Sequence, residues 1–501
     1  MRKPGALRAA TTTASSVGGR ALPRPRADRS ILVAGAGLGL AVLVAGAAYV
    51  AGPTLVLGAL ALGLVGLLLL AHARWALALY VVVVVVCENN ADWGVPILER
   101  AYLGVVRDFA PVDFLLAASL VGTVLLAVRR RALRTPSPFG LPLAFMLLVY
   151  VFGVLNGVLG GDSQSFQVLG TSLSYAPLFI VPLVVVNLVG PGADLPRVLG
   201  RLAALTIVKA FLGLFVVYAG IALVAGPGLP PLTYYEPTSN LLLLTLVLCV
   251  LTATVAGISL PRWLSLLSIV AAVCLVLSYR RTFWLAGLLC VAIVIVVAGR
   301  RTTRRLILPT LLVALGLGFV VVRGGLGADV SGPIATRVES ITPSKVSSND
   351  QDRYRLTERR NVLAEIRRRP ITGIGVGVPW ETRYPVNLQI RFLDFYTHTA
   401  VLWQWLKNGV LGAVTYVWLM IAAITCGVRV FRRHADPRVR AFGLGGGIAF
   451  VGLSVVEAAS TVVGPDVRGT LVVGLLLGLL AVAHRGLQDD GAAGSAPMIG
   501  R

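Results

Sequence analysis

Charge is what this 501-residue sequence has least of. Only 13% of its residues are Asp, Glu, Lys or Arg, against about 25% in a soluble domain. Hydrophobic residues make up 56%, and mean hydropathy is +0.84. Such a chain cannot hide its apolar residues in a water-soluble core, which excludes an ordinary soluble protein and points to an integral membrane protein. Lysine is nearly missing: Lys3, Lys209, Lys345 and Lys407 stand against 41 arginines. The five cysteines lie in or beside apolar runs and never in CxxC spacing, so neither a disulfide framework nor a zinc site is indicated. No internal repeat of 20–50 residues is visible, nor the inverted repeat that marks many transporters. The net charge of +23 sits mostly in short clusters between apolar runs and in the first 30 residues. There it orients a membrane protein and touches anionic lipid. No nucleic-acid partner is expected.

What the chain has is a succession of apolar runs. Fourteen are near membrane-spanning length: roughly 31–51, 53–71, 75–91, 111–128, 140–159, 172–189, 199–224, 239–258, 262–279, 282–299, 306–323, 400–426, 441–462 and 468–484. The third is the weakest, with a short core from Trp75 to Cys87. The run from Ile31 is too long for a signal-peptide core and reads as a membrane helix. The expected fold is all-α and polytopic, with about 12–14 spans. A disordered basic cytosolic tail (1–30) leads into a bundle of about eleven spans (31–323). A long polar loop (324–399), three last spans (400–484) and a cytosolic tail (485–501) follow. With a cytosolic N-terminus, even-numbered spans end inside, and those loops carry the arginines: Arg129–Arg131, Arg197, Arg201, Arg262, Arg432, Arg433 and Arg438 among them. The outside loops at 160–171 and 225–238 have none. Cations that break this rule are candidates for a function.

Arg280 and Arg281, in the run Ser278-Tyr279-Arg280-Arg281-Thr282-Phe283-Trp284, join two spans at the outer face. They either snorkel to lipid phosphate or clamp a phosphate ligand, since a guanidinium presents a rigid fork to its oxygens. The long loop carries a helix ending at Pro370 with Arg353, Arg355 and Arg359 among seven arginines. This is a solvated basic face or the site of a polyanionic partner. Asp350 and Asp352 before it read as a helix cap or as a metal-holding DxD. Gly373-Ile374-Gly375-Val376-Gly377 follows a helix, which excludes a dinucleotide fingerprint. Gly375 either lets the backbone approach a ligand or makes a tight turn. Lys209, inside an apolar span, and Glu236, at an outer rim, are further substrate-binding candidates. Of four histidines only His398 is expected outside, beside the twelfth span. A neutral imidazole takes a proton from a sugar hydroxyl, though a lone histidine also serves structurally.

The ordered set resembles a family. Ser278–Trp284, the arginine helix from Arg355 to Pro370, the G-x-G-x-G turn, His398 and Leu402–Gly412 (L-x-x-x-L-K-N-G-V-L-G) are similar to motifs of the O-antigen ligase and polysaccharide polymerase superfamily, over roughly residues 239–426. Thr399 after His398, Lys407 at a usually acidic position and Arg359 at a usually aromatic one depart from the pattern. The resemblance implies glycan transfer, without metal or other cofactor, from an undecaprenyl-pyrophosphate-linked oligosaccharide. The acceptor is a glycan, lipid or protein hydroxyl at the outer face of a bacterial cytoplasmic membrane. Arg281 and Arg355 are implied to hold the pyrophosphate, and His398 to activate or orient the acceptor. The alternative is a transporter or flippase of a lipid-linked saccharide, which predicts charges along a central path through the bilayer.

Overall fold

Apolar residues at every face make a helix that must be covered by other helices or by lipid, and that is how this chain is built. The computed structural model describes Gly66 and residues 71–87, 110–160, 163–218, 237–278, 280–299, 350–385, 393–464 and 466–494. The chain divides into two units, Met1–Leu68 and Leu69–Arg501, and the second contains every helix discussed below. Twelve α-helices follow one another with no strand among the described residues: α1 Ala73–Val86, α2 Pro111–Arg130, α3 Gly140–Leu159, α4 Ser165–Leu188, α5 Asp194–Tyr218, α6 Pro237–Ala256, α7 Arg262–Leu277, α8 Arg281–Ala298, α9 Asp350–Arg368, α10 Ala400–Arg433, α11 Pro437–Glu457 and α12 Val467–Gly494. Nine of them are long and apolar enough to cross a membrane. The expected all-α, multi-pass fold is therefore observed.

The differences from the sequence reading are local. Helix α1 has 14 residues and α7 has 16, short of a full crossing of an ~30 Å hydrocarbon core at 1.5 Å per residue. Helix α10 runs to Arg433, where a span ending near 426 was expected, and α9 begins at Asp350. The runs at 31–51, 53–71 and 306–323 lie outside the described residues, apart from Gly66 and Ala71.

Helix α12 is enclosed over nearly its whole apolar length, packed chiefly against α4 and α10. Close approach rests on small residues, the usual device where lipid offers no hydrophobic drive. Pro177 and Pro182 interrupt α4. Gly474 and Gly478 of α12 face those prolines so closely that an added Cβ would lie 2.8 Å from the Pro177 carbonyl and 3.1 Å from Pro182 Cα. Gly427 meets Gly443 and Gly447 where α10 packs on α11.

Two ends of the bundle differ in chemistry. At one, Asn187 of α4 bonds the backbone of Arg134, Arg485 donates to the carbonyls of Val186 and Val189, and Asp436 caps α11 by accepting from the amides of Arg438 and Val439. This is the arginine-rich end. At the other, the C-terminal half of α3 and the N-terminal part of α10 meet the segment after α9, the turn after α11 meets residues 396–399, and Thr238 of α6 bonds Asp466 just before α12. The helix ends found there are those that the alternation of spans assigns to one side.

Candidate active site

Helix α9 has two faces. Glu358, Asn361, Val362, Glu365 and Ile366 are buried at the i, i+3, i+4, i+7 spacing of one helical stripe, while Arg353, Arg359, Arg360, Arg367, Arg368 and Arg369 are exposed. Arg355 is half-buried, one turn before Glu358. The apolar part of the stripe packs with Ile374, Val378, Trp380, Leu402 and Leu406. Asn361 holds the chain beyond. Its Oδ1 accepts from the amides of Arg383 and Tyr384 (3.0 and 2.8 Å), and its Nδ2 donates to the Tyr384 carbonyl. Substituting Asn361 with alanine removes the acceptor of both amides, at about 0.5–1.5 kcal/mol for each hydrogen bond lost. The expected result is a lower melting temperature and faster proteolysis within 383–385, read by limited digestion.

The glycine turn between α9 and Trp380 docks on a broken helix. Gly409 of α10 has φ +71° and ψ −173°, so the helix stops there and restarts. The Val410 amide, which would have bonded Leu406, bonds the Pro370 carbonyl instead (3.0 Å). The carbonyls of Leu406 and Lys407 then accept from the amides of Ile374 and Gly375 (2.8 and 3.2 Å), and Val376 N donates to Gly153 O of α3 (2.9 Å). The strap lies wedged between α3 and α10. Gly375, at φ +98°, has no room for a side chain, because an added Cβ would sit 2.4 Å from Gly157 Cα. The close approach expected of Gly375 toward a ligand is made to α3. Lys407 is buried and its Nζ donates to the Val378 carbonyl at the end of the same strap, with its ammonium 5.9 Å from the Phe395 ring.

From the strap the order passes to His398. Trp380 donates through N to the Asp394 carbonyl and through Nε1 to the Tyr396 carbonyl (both 2.9 Å). The Tyr396 hydroxyl donates to Thr461 O, Thr461 Oγ1 donates to Thr397 O (2.5 Å), and Thr399 Oγ1 donates to Ala458 O. These bonds fasten residues 394–399 to the α11–α12 turn. That turn is itself held by buried Glu457, which accepts from the amides of Val462 and Val463 and from the Tyr416 hydroxyl.

His398 faces a buried carboxylate that the sequence reading did not single out. Glu358 Oε2 lies 2.7 Å from His398 Nδ1, and Oε1 accepts from the His398 amide at 2.6 Å. Glu358 keeps 2% of its side chain exposed and His398 keeps 23%. The acid is sealed while the imidazole reaches solvent. The rings of Tyr354 and Tyr396 stand edge-on to the imidazole at 5.8 and 4.9 Å. A carboxylate accepting from Nδ1 assigns the ring proton to that nitrogen and leaves Nε2 as the basic one.

Burial works to raise the Glu358 carboxyl, but hydrogen bonds and charge from His398, with a bond from Thr397, outweigh it and hold the group below its ordinary 4.5. A folded value below the unfolded one means the pair stabilises the protein fully above the ordinary carboxyl pKa and loses that contribution as pH falls through the lowered value. The melting-temperature gap between wild type and Glu358→Ala is therefore expected to close under acid. A gap independent of pH would show that the carboxylate charge contributes nothing.

The remaining candidates sort by position. Arg280, at the N-cap of α8, acts electrostatically on Tyr396, opposing burial and the Glu358 charge, which push that phenol up. Arg281 is half-buried at the first residue of α8. Arg353 and Arg359 project into solvent. Lys209 belongs to a second buried group: its Nζ donates to Val86 O (3.1 Å) at the end of α1. Fully buried Arg468 donates to Val84 O and Ser239 Oγ. Asp466 accepts from Arg468 N and Thr238 Oγ1 and also acts on Tyr396. Glu236 lies outside the described residues.

Two buried charged residues, Glu358 and Arg468, escaped sequence reading. Glu358 left a trace in the stripe it shares with Asn361, Val362 and Glu365, a row of uncharged and acidic positions inside an arginine-rich helix. Arg468 left none, standing at the start of an apolar run like any flanking cation.

The family model for O-antigen ligase matches residues 266–417. This stretch contains Arg280, Arg281, α9, the glycine strap, His398 and the break at Gly409. It is less than half of the chain, and no curated protein matches the sequence.

Proposed function

We propose that this chain, a multi-pass membrane protein carrying an O-antigen ligase domain over residues 266–417, transfers glycan from an undecaprenyl-pyrophosphate-linked donor to an acceptor hydroxyl at the outer face of the bacterial cytoplasmic membrane. The match indicates glycan transfer of the ligase or polymerase type. The observation that carries the finer reading is the pairing of His398 Nδ1 with buried Glu358, which leaves Nε2 for a substrate proton.

In the proposed step Nε2 takes the acceptor hydroxyl proton as the oxygen forms its bond to the sugar's anomeric carbon. The bond from that carbon to phosphate oxygen breaks, and its electron pair leaves with the lipid pyrophosphate. Arg280, Arg281 and half-buried Arg355 hold the diphosphate and stabilise the charge it gains. Metal-free chemistry is part of the proposal, because guanidinium charge would serve where a divalent ion otherwise does.

The test is direct. Purified protein receives a lipid-pyrophosphate oligosaccharide, and released lipid pyrophosphate and product length are measured. His398→Ala and Arg281→Ala are each expected to abolish turnover. Full activity in both would refute the site assignment, and no release of lipid pyrophosphate by the wild type would favour a carrier of lipid-linked saccharide. Activity lost on chelation and restored by a divalent ion would place a metal in the reaction.

A further inference from the structure

At the arginine-rich end of the bundle, opposite His398, a cleft opens between α5, α6, α7 and α11. Its walls are apolar, built from side chains such as Leu199, Leu202, Leu246, Leu264 and Phe442, and Arg438 is the one charged residue among those lining it. Along α5 the lining runs from Pro196 to Thr206, about 15 Å at 1.5 Å per residue. That is half of an ~30 Å hydrocarbon core, the depth of one leaflet.

The mouth is basic. Arg438 is exposed, and so are Arg201 and Arg262, each adjacent in sequence to a lining residue, while Arg197 beside Pro196 is paired with Asp194 (3.7 Å). Trp263, 46% exposed, stands at the rim, where indoles favour the membrane interface. Gly200 lines the cleft, and a Cβ added there meets nothing within 4 Å, so the space beside it is open.

We propose that this cleft binds one acyl chain of an anionic phospholipid from the leaflet on the arginine-rich side, with the phosphate held by Arg438 and Arg262. Apolar walls reject water and accept a hydrocarbon chain. A basic rim selects a negative headgroup, each arginine near the surface contributing about 1 kcal/mol. The lipid is not the glycan donor, because the cleft opens at the end of the bundle away from His398. The proposal stands independently of the transfer reaction.

The experiment titrates the purified full-length protein in nonionic detergent with phosphatidylglycerol or phosphatidylcholine of identical chains and follows retained lipid by native mass spectrometry. Wild type is expected to prefer phosphatidylglycerol. Arg438→Ala and Arg262→Ala should each weaken phosphatidylglycerol roughly fivefold and leave phosphatidylcholine unchanged. Gly200→Trp, filling the cleft, should abolish retention of both, with the elution profile and glycan transfer unaltered. Equal affinity for the two lipids, undiminished binding in Gly200→Trp, or no retention of either lipid, as when another segment of the chain fills the cleft, would overturn it.

Discussion

Glu358→Gln is expected to be as inactive as Glu358→Ala, with turnover reduced roughly 10²–10⁴-fold, the value of positioned general-base catalysis. The carboxylate makes two contacts: Oε1 receives the His398 amide and Oε2 receives the imidazole Nδ1 proton. A glutamine keeps the first contact through its amide oxygen. It presents an NH₂ group to Nδ1, which accommodates that donor only by moving its own proton to Nε2. The nitrogen that should accept a substrate proton then carries one. The alanine variant also loses the amide contact, at about 1–3 kcal/mol for a buried unpaired donor, and should melt lower than the glutamine variant. The measurement pairs initial rates at saturating acceptor with thermal melts in detergent. The donor KM should stay near wild type, because Glu358 touches no part of the diphosphate in the proposed reaction. A glutamine variant with wild-type rate would reduce Glu358 to a structural anchor for residue 398.

The second large effect concerns folding. Gly409→Val is expected to destabilise the protein by about 3–5 kcal/mol. At φ +71° and ψ −173° the backbone lies in a region open essentially to glycine alone, which costs a residue with a side chain about 1–3 kcal/mol, and overpacking adds about 1–3 kcal/mol. Here the overlap is severe, since a Cβ at Gly409 would lie 1.8 Å from the Ile371 carbonyl oxygen and 2.6 Å from its carbon. Relief comes only by expelling the strap, which strips Leu406 O and Lys407 O of their partners and releases Trp380 from the His398 segment. Gly409→Val should therefore lose folded yield and, in whatever folds, transfer activity. Gly192→Ala is the control: a Cβ there meets nothing within 4 Å, and yield should match wild type. Equal yields for both variants would show that the helix break is incidental.

The sequence reading reached the strap and the histidine by different routes, and the structure treats them differently. His398 was found by elimination, as the one histidine the span alternation places outside, and it stands at the centre of the candidate site. Gly375 was read as a place where backbone meets ligand or turns tightly; its close neighbour is Gly157 on α3, a helix more than two hundred positions earlier. Lys209 was flagged for its depth in an apolar span, and its position at the end of α1 was invisible from spacing. The double arginine at 280–281 was legible as a pair. The structure separates the two, with Arg280 at the N-cap of α8 and Arg281 in its first turn.

What the sequence determines by itself is whatever depends on neighbours within one or two turns. The apolar runs set the helices, charge asymmetry sets their alternation, and the stripe on α9 fixes which arginines face solvent. What only the tertiary structure decides is which distant groups meet. Glu358 reaches His398 across 40 residues, and the strap exists because Gly409 breaks one helix while Gly157 leaves room on another. Helix formation is local because its hydrogen bonds close within four residues. The acid, the imidazole and the glycine contacts are joined by packing, and packing depends on shape and position in space, which spacing along the chain does not encode.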